Sequence, residues 1–133
     1  MGDNNIYLTA LNEYINQLNE FYTTDFYSPN KNKILYIQQE KFLEKIPNKI
    51  NEYKIIKITP ENKAKYFRNG KAKLLTIIFE LKQKDGKCFI NITPYKVEYQ
   101  NKNYTQTVSD WTLIYFRSQK GNLIHSKTEN GGI

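Results

Sequence analysis

Cys88, Asp110 and His125 are the residues of this chain whose types could carry chemistry. Cys88 is the only cysteine and His125 the only histidine, 37 positions apart. A thiol becomes a nucleophile when a cationic or helix-terminal setting lowers its pKa and an imidazole takes its proton. Cys88 sits in "KCFINI", which alternates like a strand, and reads as a small strand residue. Asp110 and His125 could instead serve as general base and partner: a carboxylate desolvated enough to titrate near working pH, facing a donor drawn from Tyr95, Tyr99, Tyr104 or Tyr115. Against that, "SD" ahead of Trp111 is turn or bulge chemistry, in which the carboxylate bonds nearby backbone amides. One His, one Cys and no clustered carboxylates supply no ligand set for a metal, and one cysteine forms no intrachain disulfide. In "TENGGI" no helix follows to aim amides at a phosphate, so Gly131 and Gly132 read as a terminal turn or tail. We expect no catalytic residue, no metal and no cofactor.

The elements that would hold these residues follow from periodicity. From Asn5 to Thr23 the apolar Ile6, Leu11, Tyr14, Ile15, Leu18, Phe21 and Tyr22 recur at helical spacing with polar residues between them, predicting one long amphipathic helix capped by Asp3 or Asn4. Pro29 in "DFYSPN" ends it with a turn. "KILYIQQEKF" fits a strand or a short helix, "FLEKIPNKI" is irregular before Pro47, and "YKIIKIT" is a strand. "PENKAKYFRNG" holds a helical turn. The rest is β: "KAKLLTIIFELKQ", "CFINITPYKVEY", "YTQTVSDWTLIYFR" and "LIHSK", joined by turns at "KDGK", "QNKN" and "SQKGN". Pro94 marks a bulge or edge position, and Ser109-Asp110 a bulge before the tryptophan. The expected architecture is α+β, a single domain over 1–133, with one long N-terminal helix packed on a strongly curved antiparallel sheet of four to six strands.

Length and composition agree with one globular domain. The chain has 133 residues, 39% hydrophobic and 14% aromatic, too rich in core-formers for a disordered segment. It has no apolar run long enough to span a membrane and no signal-peptide core, and Ile6 stands where a myristoylation motif wants Ser or Thr. A cytoplasmic chain and an exported domain trimmed of its leader both fit "MGDNN". Residues 1–30 carry Asp3, Glu13, Glu20 and Asp25 with no Lys or Arg, a net of −4, which leaves +11 of the overall +7 for residues 31–133. A basic body suits an acidic protein partner. Nucleic acid is the poorer fit, since only Arg68 and Arg117 are arginines and the lysines are scattered along the chain.

The helix "IYLTALNEYINQLNEFY", the hairpin "LLTIIFELKQKDGKCFINITPY" and the tryptophan strand "SDWTLIYFR" closing in "GNLIHSKTENGGI" resemble the nuclear transport factor 2-like superfamily of the cystatin-like fold. The resemblance is topological and covers most of the chain. It implies a cone of curved sheet around the helix. Members of that superfamily include isomerases and dehydratases with a polar pair inside the cone, scaffold and transport proteins, bacterial lipoprotein and secretion-system domains, and immunity proteins of toxin systems. The resemblance narrows the fold and widens the choice of function; the lack of a catalytic constellation, the many Lys and Tyr and the segregated acidic and basic parts then lead us to expect a non-enzymatic bacterial binding module, as a toxin-neutralising immunity protein or an exported accessory or lipoprotein domain. Its alternative is a small apolar-ligand binder or an isomerase or hydro-lyase with Asp110 and His125 in the cone.

For a binding module the anchors would be aromatic. Trp111, Leu113 and Tyr115 alternate with Thr112, Ile114 and Phe116, so both faces of that strand carry apolar groups and one must pack on the helix. Trp111 reads as a core or rim anchor more than as a ligand wall. Tyr95, Tyr99, Trp111 and Tyr115 are the expected anchors for a protein partner, or for a homodimer formed through the sheet.

Overall fold

The structure is a computed structural model describing residues 5–21, 33–68, 73–108 and 110–132. Helix α1 spans Ile6–Phe21. The Asn5 side-chain oxygen accepts the Leu8 amide hydrogen at 3.2 Å, so Asn5 supplies the N-cap. The expected caps Asp3 and Asn4, and the turn at Pro29, lie outside the described residues. Ala10, Leu11, Tyr14, Ile15 and Leu18 form the buried stripe, and α1 packs across strands of the sheet at residues 87–100, 110–119 and 122–132.

That sheet corrects the expected architecture. Among the described residues it has nine strands and is mixed, not four to six antiparallel strands wrapped as a cone: β1 (Ile34–Gln38), β2 (Lys49–Ile50), β3 (Tyr53–Ile58), β4 (Lys73–Ile78), β5 (Lys82–Lys84), β6 (Lys87–Gln100), β7 (Asn103–Val108), β8 (Asp110–Gln119) and β9 (Asn122–Gly132), in the order β2-β3-β1-β4-β6-β8-β9, with β5 and β7 also on β6. Strand outweighs helix among the described residues by 57% to 19%, so the sheet dominates. The difference arises in residues 33–68. β1 inserts between β3 and β4 and runs parallel to both. Parallel neighbours need crossovers of a dozen or more residues, and this chain has two. Residues 39–52, with a 3-10 turn at Lys41–Leu43, bury Leu43, Ile46 and Ile50 beside α1; α2 (Lys63–Phe67) buries Phe67 against the opposite face.

From β5 onward the hairpins match the sequence reading. Asp85-Gly86, Asn101-Lys102 and Lys120-Gly121 are two-residue loops with positive φ at both positions (54° and 76°, 52° and 65°, 53° and 83°). That is the turn geometry whose twist matches antiparallel strands. The last strand is much longer than "LIHSK", and Gly131 and Gly132 belong to it instead of forming a tail.

Two irregularities flank the middle of β6. Ile92 pairs with Thr112 and Tyr95 with Val108, so three steps on β6 oppose four on β7–β8, a bulge between Val108 and Thr112; of the expected Ser109-Asp110 pair, Ser109 lies outside the described residues. Pro94, which has no N–H to give a ladder, is buried opposite that interruption. On the other side Ile78 pairs with Ile92 and Lys82 with Phe89, so an extra residue also separates β4 from β5. The sequence "KAKLLTIIFELKQ" is thus two strands, and Leu81 packs into the α1 core instead of sharing a face with Leu75.

The sheet has two covered regions. Its inner face carries Leu35, Ile37, Tyr53, Ile55, Ile78, Ile90, Ile92, Ile114 and Phe116 against α1. On the outer face α2 covers a smaller cluster of Ile58, Phe67, Leu75 and Val97, edged by Tyr36, Tyr66, Tyr95 and Tyr104. α2 packs on β6; beyond it Val108 and Trp111 stand exposed, which leaves that part of the outer face open among the described residues.

Candidate functional site

Strand alternation and pairing place all four expected anchors on the outer face. Tyr95 pairs with Leu75 and Val108, Tyr99 with Tyr104, and Tyr115 with Phe89. The bulge decides the position of Trp111. Tyr104, Gln106 and Val108 point outward; without an extra residue Trp111 would point inward to α1, and with it Trp111, Leu113 and Tyr115 point outward. Thr112, Ile114 and Phe116 take the inner positions and are buried.

The four anchors nevertheless do different things. Tyr99 is held by α2: its hydroxyl accepts a hydrogen bond from Arg68, whose guanidinium also lies over the ring at 4.4 Å, and its ring meets Tyr104 at 4.9 Å with Lys63 over the latter at 4.5 Å. Tyr95 lines an open cavity of about 420 Å³ with Gln38, Glu40, Ile77, Phe79 and Gln106. Gln38 donates to the Glu40 carboxylate at 2.8 Å across its wall. Trp111 and Tyr115 stand on the open region. Trp111 is 37% exposed, at the rim and not in the core, and Val108 on the other side of the bulge is 39% exposed. Tyr115 stacks at a tilt on Phe89 (5.6 Å), donates to Glu129 at 3.2 Å and carries the Lys127 ammonium over its ring at 4.8 Å.

Phe89, Val108 and Leu113 complete this open strip; the sequence reading put Leu113 on the Trp111 face but did not single out Phe89 or Val108. Their signal was available: each sits at the same parity as an expected anchor once hairpin register and bulge are known.

Asp110 and His125 do not meet. They share the inner face, but His125 pairs with Phe116, six positions along β8 from Asp110, about 20 Å at the ordinary rise of a strand. His125 Nδ1 lies 3.7 Å from Glu13, its Nε2 2.9 Å from the Thr128 hydroxyl. Cys88 is two strand spacings from His125, about 10 Å, and its sulfur accepts from Gln83 at 3.4 Å. Between Asp110 and His125 the inner face holds a polar cluster that sequence gave no sign of. Gln17 donates to Asn130 at 2.8 Å and accepts from it at 3.0 Å, and the Thr112 hydroxyl donates to Asn130 at 2.9 Å. Gln17 and Thr112 are 8% and 3% exposed, so these groups satisfy one another under α1 and leave no free acid or base at that place. Among the described residues no group of three His, Cys, Asp or Glu side chains could hold a metal ion, and no helix is long and apolar enough to cross a membrane.

No family model, curated protein or solved structure matches this chain.

Proposed function

We propose that the chain is a non-catalytic binding module that engages a protein partner through the open part of its outer sheet face. The observation that supports this reading is the strip of Val108, Trp111, Leu113, Tyr115 and Phe89, half-buried or exposed and not covered by α2, on a face whose other half is packed. Soluble chains leave such contiguous aromatic surface where something docks, and binding energy concentrates in a few aromatics of this kind inside a polar rim. Tyr99 drops out as an anchor because α2 already occupies it. A toxin-neutralising immunity protein and an exported accessory or lipoprotein domain are the two concrete forms of the reading. The inner face, where a superfamily enzyme would work, is filled by the core and by the Gln17–Asn130 pair.

The test is a pull-down with the product of the neighbouring gene, repeated with Trp111→Ala and Tyr115→Ala variants that keep the wild-type circular dichroism spectrum. Both should weaken capture, while Tyr99→Ala should leave it nearly intact. Capture unchanged by Trp111→Ala and Tyr115→Ala would place the interface elsewhere.

A further inference from the structure

The lysines that are scattered in sequence are gathered by the fold. β5 pairs with the start of β6, placing Lys84 directly opposite Lys87 and Lys82 opposite Phe89. β6 in turn pairs with β8, so Lys87 stands beside Arg117, one step beyond the Cys88–Phe116 pair. β8 pairs with β9, placing Lys127 opposite Tyr115. All five cations are exposed on the outer face, in two adjacent rows with Phe89 and Tyr115 between them. Lys84 and Arg117 are only two strand spacings apart, about 10 Å, comparable to the screening length at physiological salt, so their fields add.

Like charges directly across a strand pair repel. Lys127 is relieved by Glu129 at 3.5 Å, but Lys82, Lys84, Lys87 and Arg117 have no ion-pair partner among the described residues. The fold thus carries a repulsion that a bound anion would relieve, beside an aromatic strip that favours a protein surface.

We infer that this basic end binds an acidic, extended segment of a protein partner, with Lys82, Lys84, Lys87 and Arg117 meeting its carboxylates and Phe89 and Tyr115 packing against its backbone and apolar side chains. The inference rests on the protein-binding reading above and adds the chemistry of the partner. Single-stranded nucleic acid fits less well. It needs open ring faces on which bases stack, whereas Phe89 and Tyr115 are tilted 49° to each other and the Tyr115 ring is already covered by the Lys127 ammonium.

The experiment is an anisotropy titration of the full chain with a fluorescent peptide of alternating Glu and Ser, and in parallel with an oligothymidylate of equal charge. Wild-type protein should bind the peptide, more weakly as salt rises. The Lys84→Glu/Lys87→Glu/Arg117→Glu triple should lose at least about tenfold in affinity, with most of the loss in association rate. The Lys45→Glu/Lys49→Glu/Lys54→Glu triple, which changes net charge equally on exposed residues around the opposite β2–β3 edge, should lose much less. Should the first triple misfold, the corresponding three Gln substitutions replace it. Equal losses from both triples, absence of peptide binding, or tighter binding of the oligothymidylate would each overturn the inference. A dimer in sedimentation that the first triple dissolves would also overturn it, by making a second copy the occupant. In the pull-down above, capture that survives the first triple but is lost with Trp111→Ala removes this inference and keeps the protein-binding reading. Capture indifferent to both removes that reading.

Discussion

The indole of Trp111 lies so close to its cross-strand partner Gly131 that a Cβ on residue 131 would overlap Cε2, Cζ2 and Cη2 of the ring. The glycine is there for space, and the ring in turn covers backbone that a side chain would otherwise shield. Gly131→Ala must push the indole off β9. Since Trp111 is the only tryptophan, its fluorescence reports the displacement without ambiguity. We expect red-shifted emission, stronger acrylamide quenching and a stability loss of about 1–3 kcal/mol from overpacking. Unchanged quenching would show that the ring does not rest on Gly131 in solution.

Gln17 and Asn130 exchange two hydrogen bonds beneath α1. Truncating Asn130 strands the buried Gln17, which costs about 1–3 kcal/mol, truncating Gln17 leaves an Asn130 that water can reach and costs less, and removing both costs less than the sum. A double-mutant cycle with Gln17→Ala and Asn130→Ala, followed by urea melts, should therefore give a clear favourable coupling. Strict additivity would mean that the pair does not form.

Leu18 is 4% exposed in the α1 stripe. Leu18→Ala should destabilise the fold by about 2–5 kcal/mol, and the exposed Asn16→Ala by less than about 0.5 kcal/mol. Equal and negligible losses in denaturant melts would remove α1 from the core.

Tyr36 ionises less readily than an ordinary tyrosine, through burial first and then the proximity of Tyr66. Its folded pKa exceeds the unfolded one, so the folded state holds the proton more tightly. The associated stability is fully present below the ordinary value of 10.0 and is lost as pH rises through the folded pKa. Stability measured against pH should fall in that alkaline window, and Tyr36→Phe should make the fall shallower. An identical slope in the variant would deny the shift.

Much of the local structure was legible in the sequence because it depends on neighbours along the chain. The 3.6-residue recurrence of Leu11, Ile15 and Leu18 marks α1, and Asp85-Gly86, Asn101-Lys102 and Lys120-Gly121 mark turns that close hairpins of known register. Alternation alone separates Trp111, Leu113 and Tyr115 from Thr112, Ile114 and Phe116. The number and direction of the strands were not legible in this way. Whether "KILYIQ" lies at an edge, or between β3 and β4 and parallel to both, depends on partners about 20 to 40 positions away, and nothing in its own residues distinguishes the two. The face to which Trp111 turns depends on one extra residue between Val108 and Thr112, and that residue is extra only relative to β6. The grouping of Lys82, Lys84, Lys87, Arg117 and Lys127 is likewise a property of four aligned strands. Composition and periodicity determined that this chain would fold around a helix and hairpins with a basic surface; only non-local strand pairing, with its two-residue parity, decided which side chains share the open face.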